Sequence, residues 1–594
     1  MEAKSLDADL RSFLDEHINE DTDTSKISVF PIPCGVGKSE YITYLLADAL
    51  QNHYGLIVVT DTLDRLNKYA SSQQNEQLSE YIQRNISKIS ILNFDNIADE
   101  ITTLHLKPII LMTTQRYFNL TREEIIKLTA NHICKRSKIV FDEKIYLLES
   151  RKLTVKTLND IATALSEGLD NTVDEKEKKY LITEYEELNQ ELQKRLVENE
   201  QQNNDLQNFK REVWFDSNGL TITDRFNTLI SKYKNQLKRY NSDILKDLRA
   251  INKLLFDGVI TSQKVKTKKS NQDYKNYFTV VINNADKLVD IGSKVFVLDG
   301  SADISPEYLL NCIDMVDCSQ FNRDLSKLSI NVVNVNTSKT KLESNDDKTQ
   351  RLIRTIIDYI KSQPNNIDTV FTYQSIEKYF ENEFEYVNHF GNIKGRNNYR
   401  NVKNICQVGL NRWSELIYML YANEIGYYND FNKSHIKRIY DLEHINNIRC
   451  RLILADIEQN LFRCKIRNID NTDSCIYTLI CSIYEKSAIF KDYQPLIDML
   501  KSRYEKLGAT VNVIDTPTNF KLFNMETRKQ DTQSKRILDW LSNKDKGFVF
   551  KISAMKKDLS MSDKQFEKIK SKNKVIDGLF KKMSTNKKGY YQIL

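Results

Sequence analysis

An α/β fold on parallel sheets, interrupted by a long helical insertion and closed by a small basic C-terminal module, is what this sequence predicts. Three observations lead there. Apolar runs of strand length alternate with helical patterns through residues 1–150, the mark of strands buried between helices. Residues 151–290 then carry apolar side chains at three- and four-residue spacing. Last, Arg528–Leu594 holds eighteen Lys/Arg against seven Asp/Glu, although the whole chain is only +6, so the remainder is slightly acidic.

The bulk composition narrows the class. A chain of 594 residues divides into about three or four domains, each with its own core. Only 16 glycines and 7 prolines argue for a helix-rich body without long linkers. No run approaches the roughly eighteen apolar residues of a membrane span, and Met1–Asp15 is charged rather than signal-like, so a cytoplasmic protein with no membrane partner is expected. Nine scattered cysteines without a C-x-x-C pair, and only seven histidines, exclude zinc, iron–sulfur and disulfide scaffolds as the expected chemistry.

The first element is a strand at Ile27–Ile32, followed by Pro33-Cys34-Gly35-Val36-Gly37-Lys38-Ser39 and a helical pattern at Tyr41–Leu50. Strand, glycine turn, Lys-Ser and helix is the order needed to hold a nucleoside triphosphate. Backbone N–H groups cradle the phosphates, Lys38 reaches the β/γ-phosphates, and the Ser39 hydroxyl ligates Mg²⁺. Ile32 stands where the full G-x-x-x-x-G-K-[ST] pattern has its first glycine.

The next strands are Gly55–Thr60, leading into a helix from Asp61, and Ile109–Met112, ending in Thr113-Thr114-Gln115-Arg116. A fourth, Lys138–Phe141, delivers Asp142-Glu143 at its end. Alone, such a pair also serves as a helix N-cap. At the carboxyl end of a parallel strand it reads instead as a site: Asp142 holding Mg²⁺ through water and Glu143 polarising the water that attacks the γ-phosphate.

In this order the motifs resemble those of the superfamily 2 helicases and translocases, whose phosphate loop commonly lacks its first glycine. Val58-Val59-Thr60-Asp61-Thr62 is similar to motif Ia and Thr113-Thr114-Gln115-Arg116 to motif Ib, which implies strand contact at Thr60, Thr113, Thr114, Gln115 and Arg116. Asp142-Glu143-Lys144 is similar to the D-E-x-x box, apart from Lys144. Ser301-Ala302-Asp303 resembles the coupling motif III, with Asp303 for threonine. Ile367–Tyr373 and Gln374–Phe380 look like a motif IV strand and helix. Gly395 and Asn397 stand at the nucleotide-binding positions of motif V. Gln459, Arg463 and Arg467 resemble motif VI, with Phe462 for its glycine and the second arginine one residue late; Arg463 is the first choice of arginine finger.

The resemblance implies two RecA-like domains with ATP and Mg²⁺ between them: domain 1 over 1–150 and 291–328, domain 2 over 329–516. The insertion, 151–290, reads as two long amphipathic helices forming an antiparallel arm, followed by a strand pair around the basic stretch Lys264–Lys275. Heptad-like spacing there also allows a dimer coiled coil. Residues 517–594 read as a winged-helix-like module, or as a basic domain that contacts protein.

The leading expectation is an ATP-driven helicase or translocase, with DNA favoured over RNA because of the basic tail. A nucleic-acid-stimulated ATPase switch or clamp without unwinding is the alternative. A scaffold with a vestigial nucleotide site is disfavoured by intact Lys38, Ser39, Asp142 and Glu143, and a small-molecule kinase has no use for the second half. Less specifically, the Asn-, Lys-, Ile- and Tyr-rich composition resembles helicase-like proteins of phages and mobile elements, which implies replication, transfer or defence partners.

Overall fold

A computed structural model describes residues 8–592, apart from 21, 72–75, 93–106, 131–134, 171, 205–211, 266–272, 345, 393–398, 428–442, 469–470, 483–493, 519, 521–536, 538–539, 542–543, 545–546, 560, 573–575, 578–579, 581–582, 584 and 586–588. In chain order the strands begin with β1 (Ile27–Phe30), β2 (Gly55–Thr60), β3 (Ile89–Leu92), β4 (Ile109–Thr113) and β5 (Arg136–Asp142). Four more belong to the insertion: β6 (Leu148–Leu153), β7 (Glu212–Trp214), β8 (Val259–Val265) and β9 (Asp273–Asn283). The chain returns with β10 (Lys294–Leu298) and β11 (Ile313–Met315). The second half supplies β12 (Leu328–Asn334), β13 (Thr369–Thr372), β14 (Tyr386–His389), β15 (Asn404–Val408), β16 (Cys475–Cys481) and β17 (Thr510–Ile514), and the end β18 (Val549–Lys551) and β19 (Tyr590–Gln592).

Two all-parallel sheets result, as the alternating pattern predicts. The first runs β11-β1-β10-β5-β2-β4-β3 and the second β14-β13-β15-β16-β12-β17. Every residue of β1, β2 and β10 is buried, which is why these strands read as continuous apolar runs rather than alternating ones. Register matters more for function. Phe30 pairs with Leu298, Leu298 with Asp142, Asp142 with Thr60, and Thr60 with Thr113. The segments that follow these five residues therefore leave the sheet side by side along one edge.

The second sheet opens in sequence at β12, ahead of β13, the strand that resembles motif IV. A fifteen-residue helix, Asp347–Lys361, follows with Leu352, Ile353, Ile356 and Ile360 inward. The helix expected at Gln374–Phe380 is only a short 3₁₀ turn, Glu377–Tyr379.

The insertion departs from the two-helix arm. Its four strands pair antiparallel in the order β6-β9-β8-β7, and four helices (Val155–Glu167, Glu175–Asn204, Asp224–Tyr240, Ile244–Phe256) pack with them. The expected second long helix breaks at Asn241, whose extended backbone and side chain, accepting from the Asp243 N–H at 3.0 Å, form a turn instead. Leu181, Tyr185, Leu188, Leu192 and Leu196 share one core with Leu158, Phe226, Leu237, Ile251 and Leu254. That stripe is thus covered within the chain, which removes the coiled-coil reading. Lys266, Lys268 and Lys269 lie outside the described residues.

The two sheets do not merely face one another. Helix Glu415–Glu424 of the second half is almost wholly buried, and Leu416–Ala422 join the core beneath β1, β5 and β10. The Tyr421 hydroxyl donates to the Leu148 carbonyl at 2.6 Å, and Glu424 pairs with Lys253 of the insertion. At the C-terminal end β18 and β19 pair antiparallel beside helices Ile552–Asp558 and Asp563–Lys572, around Phe550, Met555, Phe566 and Phe580. Among the described residues no helix is long and apolar enough to cross a membrane.

Candidate functional site

The phosphate-loop candidate sits at the end of β1. Gly35 and Gly37 take φ 90° and 108°, and Gly37 caps helix Lys38–Gln51, a backbone that side chains rarely adopt. Lys38 turns its ammonium into the loop and donates to the Ile32 carbonyl at 2.6 Å and the Pro33 carbonyl at 3.4 Å. Ile32 is fully buried beside Leu45, Leu298 and Tyr41. The first position of the loop therefore serves the core, which accounts for its missing glycine.

Asp142 ends β5, Glu143 follows it directly, and the next element is the strand β6 rather than a helix, so the N-cap reading fails. Glu143 takes φ 90° and donates its N–H to the Leu298 carbonyl at 3.2 Å. Arg65 lies across both carboxylates: Nη2 is 2.7 Å from Glu143 Oε1 and Nη1 is 3.4 Å from Asp142 Oδ2. Tyr69 donates to buried Asp142 and lies near the Ser39 side chain. Burial pushes the Asp142 carboxyl up. Burial acts the same way on Glu143, but Arg65, with Arg463 and Lys38 behind it, holds that carboxyl down to about 2.

The segment after β10 closes over the loop. A Cβ on Gly300 would stand 2.9 Å from the Ile32 carbonyl and 3.4 Å from Lys38 Nζ. Ser301 donates through N–H and hydroxyl to Asp299 Oδ1, both at 2.9 Å, while Ala302 is buried. Asp303 reaches across to the second half, ion-paired with Arg503 and accepting from Arg451 through its carbonyl at 3.0 Å. A threonine there would lack that charge. Lys144, the odd residue of the D-E box, pairs with buried Glu307 at 3.5 Å.

From the second half come Gln459, on helix Glu443–Leu461, and Arg463 and Arg467 just beyond it. All three line one cleft of about 570 Å³ with Cys34, Lys38 and Glu143. Thr114 and exposed Gln115 line it too. Thr113 caps helix Thr114–Asn119 by accepting from Arg116 N–H at 3.2 Å. Thr60 corrects the sequence reading. It is fully buried, its hydroxyl turned to Asp61 and its carbonyl accepting from Thr114, so it supports the segment and offers no surface to a strand. Gly395 and Asn397 lie outside the described residues.

Sequence reasoning missed Arg65, Tyr69 and Arg323. Arg65 had a weak signal, its i,i+4 spacing from Asp61, to which it pairs at 3.4 Å. Arg323 had none. It lies in the connector between the sheets and donates to the carbonyls of Cys34 (2.9 Å), Ile466 (2.8 Å), Arg467 (2.8 Å) and Asn468 (3.1 Å). One guanidinium thereby ties the phosphate loop to the arginine-bearing segment.

No protein-family profile matches the chain, and no curated protein matches it in sequence. Similar solved structures include Xpd4 of S. tokodaii, at 13% identity and TM-score 0.42, covering 85% of this chain and 100% of that one. The DEAD-box helicase Mss116 bound to ssRNA and UDP-BeF is similar at 11% identity and TM-score 0.35, over 96% and 86% of the two chains. The helicase MrfA bound to DNA and AMPPNP is similar at 9% and 0.27, over 85% and 51%. These likenesses are loose and concern layout only. Two all-parallel sheets, the first half bearing the glycine loop and Asp142-Glu143 and the second half bringing Gln459, Arg463 and Arg467 to the same cleft, give this chain an α/β fold built on two sheet-bearing halves.

Proposed function

We propose that this chain is an ATP-driven nucleic-acid helicase or translocase, acting on DNA. One observation carries the reading: Lys38 and Glu143 from the first sheet, and Gln459, Arg463 and Arg467 from the second half, line a single cleft. Phosphoryl transfer is catalysed mainly by positioning and by charge placed around the transferred group, which is what these residue types supply.

In this reading the N–H groups of Gly35 to Ser39 and the Lys38 ammonium bind the β- and γ-phosphates. Glu143 accepts a proton from the attacking water. Arg463, with Arg467 beside it, meets the charge that grows on the transferring phosphoryl group, and Gln459 orients the γ-phosphate. The Asp142 carboxylate, which accepts from Tyr69, and the Ser39 hydroxyl near that same side chain are hard oxygen donors, a set that fits Mg²⁺. Bound there, the ion supplies charge neutralisation at the phosphates. Asp303–Arg503 and the Arg323 bonds transmit closure between the halves. Thr114 and Gln115 meet the nucleic-acid backbone, and the basic C-terminal module favours duplex DNA.

A specific observation favours the second reading, a stimulated ATPase switch or clamp. Helix Glu415–Glu424 is sunk into the first domain's core, which opposes wide reopening of the cleft on each cycle. ATP hydrolysis with and without single-stranded DNA, duplex DNA and RNA, beside Lys38→Ala and Glu143→Gln, tests the ATPase. Displacement of an annealed strand then separates the two readings. Turnover absent with every polymer would retire both.

A further inference from the structure

Helix Leu63–Ser71 places two side chains on the carboxylates that the proposed hydrolysis needs. Arg65 stands among three of them: 2.7 Å from Glu143, 3.4 Å from Asp142 and 3.4 Å from Asp61. It is only 17% exposed. One turn on, Tyr69 donates to Asp142 and lies near Ser39. A carboxylate whose oxygen is gripped by a guanidinium is neutralised and aimed at that partner, not at a water molecule. As it stands, the arrangement engages the groups assigned to water and ion.

The helix also has a second connection. It begins just after β2, whose Thr60 carbonyl accepts the Thr114 hydroxyl at 3.2 Å. Asp61 and Thr62, immediately before it, line the same cleft as Thr114 and Gln115. A phosphodiester strand lying along Thr62, Thr114 and Gln115 therefore passes the start of the helix that carries Arg65. A phosphate matches the guanidinium fork as a carboxylate does, and so competes for it directly.

We propose that Arg65 is a latch: without nucleic acid it holds Glu143 and Asp142, and a bound strand draws it onto a backbone phosphate, releasing both carboxylates for hydrolysis. This deepens the reading given above and rests on it. Arg65 is then a regulatory positioning residue, and stimulation by nucleic acid is the relief of a built-in restraint.

The test compares basal and single-stranded-DNA-stimulated ATP turnover in wild type, Arg65→Ala and Arg65→Lys, with affinity for a fluorescent ATP analogue measured on each. Arg65→Lys keeps a cation among the carboxylates, so the fold retains its charge balance, but a point ammonium cannot span all three. The latch requires both variants to raise basal turnover, on the order of tenfold for Arg65→Ala, the size of an ordinary coupling between sites. The ratio of stimulated to basal rate falls towards one while analogue affinity holds. Basal rates at or below the wild-type value in both variants, beside a stimulated wild type, overturn the latch alone. A wild type that hydrolyses nothing with any polymer retires the ATPase reading, and the latch with it.

Discussion

The backbone oxygen of Arg467 lies 2.3 Å from where a Cβ on Gly35 would stand. Gly35 is thus fixed twice, by its φ of 90° and by a neighbour from the opposite half of the molecule. Gly35→Ala is expected to push the two sides of the cleft apart. Strain at positive φ costs about 1–3 kcal/mol, and ATP turnover falls by more than the loss of folded protein explains. Denaturant melts and steady-state turnover on one preparation separate the two effects.

Arg323→Ala removes the donor shared by four carbonyls on both sides of that contact. Buried acceptors left without a partner cost about 1–3 kcal/mol. Turnover should drop while affinity for an ATP analogue changes little, because Lys38 and the loop remain. Arg323→Lys is expected to rescue poorly, since one ammonium cannot reproduce the fork. Equal loss of affinity and turnover would contradict this account.

Arg503 holds buried Glu458 through two bonds, one of 2.8 Å from Nη2 to Oε1. Truncating it leaves an uncompensated buried carboxylate, expected to destabilise the chain by about 3–5 kcal/mol. The double change Arg503→Met with Glu458→Gln should recover most of that loss in urea unfolding. A single variant as stable as wild type would show that the pair contributes little.

The pH response of Glu143 has a definite sign. Its folded carboxyl titrates near 2, below the ordinary value of 4.5, because Arg65, Arg463 and Lys38 outweigh burial. Its stabilising share is therefore complete above about 4.5 and is lost as pH falls from there through about 2. Glu143→Gln should differ most from wild type in stability near neutral pH, and the gap should close on acidification. A gap that widens towards pH 3 would reverse the assignment.

Restoring the missing glycine of the loop should harm the protein. Ile32 is fully buried in the core that includes Leu45 and Leu298. Ile32→Gly is expected to cost at least about 2–5 kcal/mol, the range for emptying such a site, without raising nucleotide affinity. A tighter analogue-binding variant of unchanged stability would refute the packing explanation.

Much of the first half was legible because parallel strands buried on both faces leave continuous apolar runs, and because functional residues gather at their carboxyl ends. Ile27–Ile32, Gly55–Thr60 and Val295–Leu298 announce themselves, and the shared register then lines up the groups that follow them. The insertion was read less well. Spacing at 3.6 residues persists across Asn241, and only the turn made by its side chain ends the helix. Thr60 looked exposed by motif and is buried by register. Arg65 shows only its spacing from Asp61 and Arg323 shows no pattern at all, since their importance comes from what tertiary structure brings to them. The burial of helix Glu415–Glu424 had no signal beyond an apolar stretch, which fits any core.

That helix has a practical consequence for taking the molecule apart. An expression fragment ending before Glu415 would bare the greasy socket the helix fills, and one beginning after Leu325 would carry the same apolar helix into solvent. Neither half is suited to stand alone. The two sheets should lose their structure in a single cooperative melt rather than in two steps, and protease nicks should leave the pieces associated.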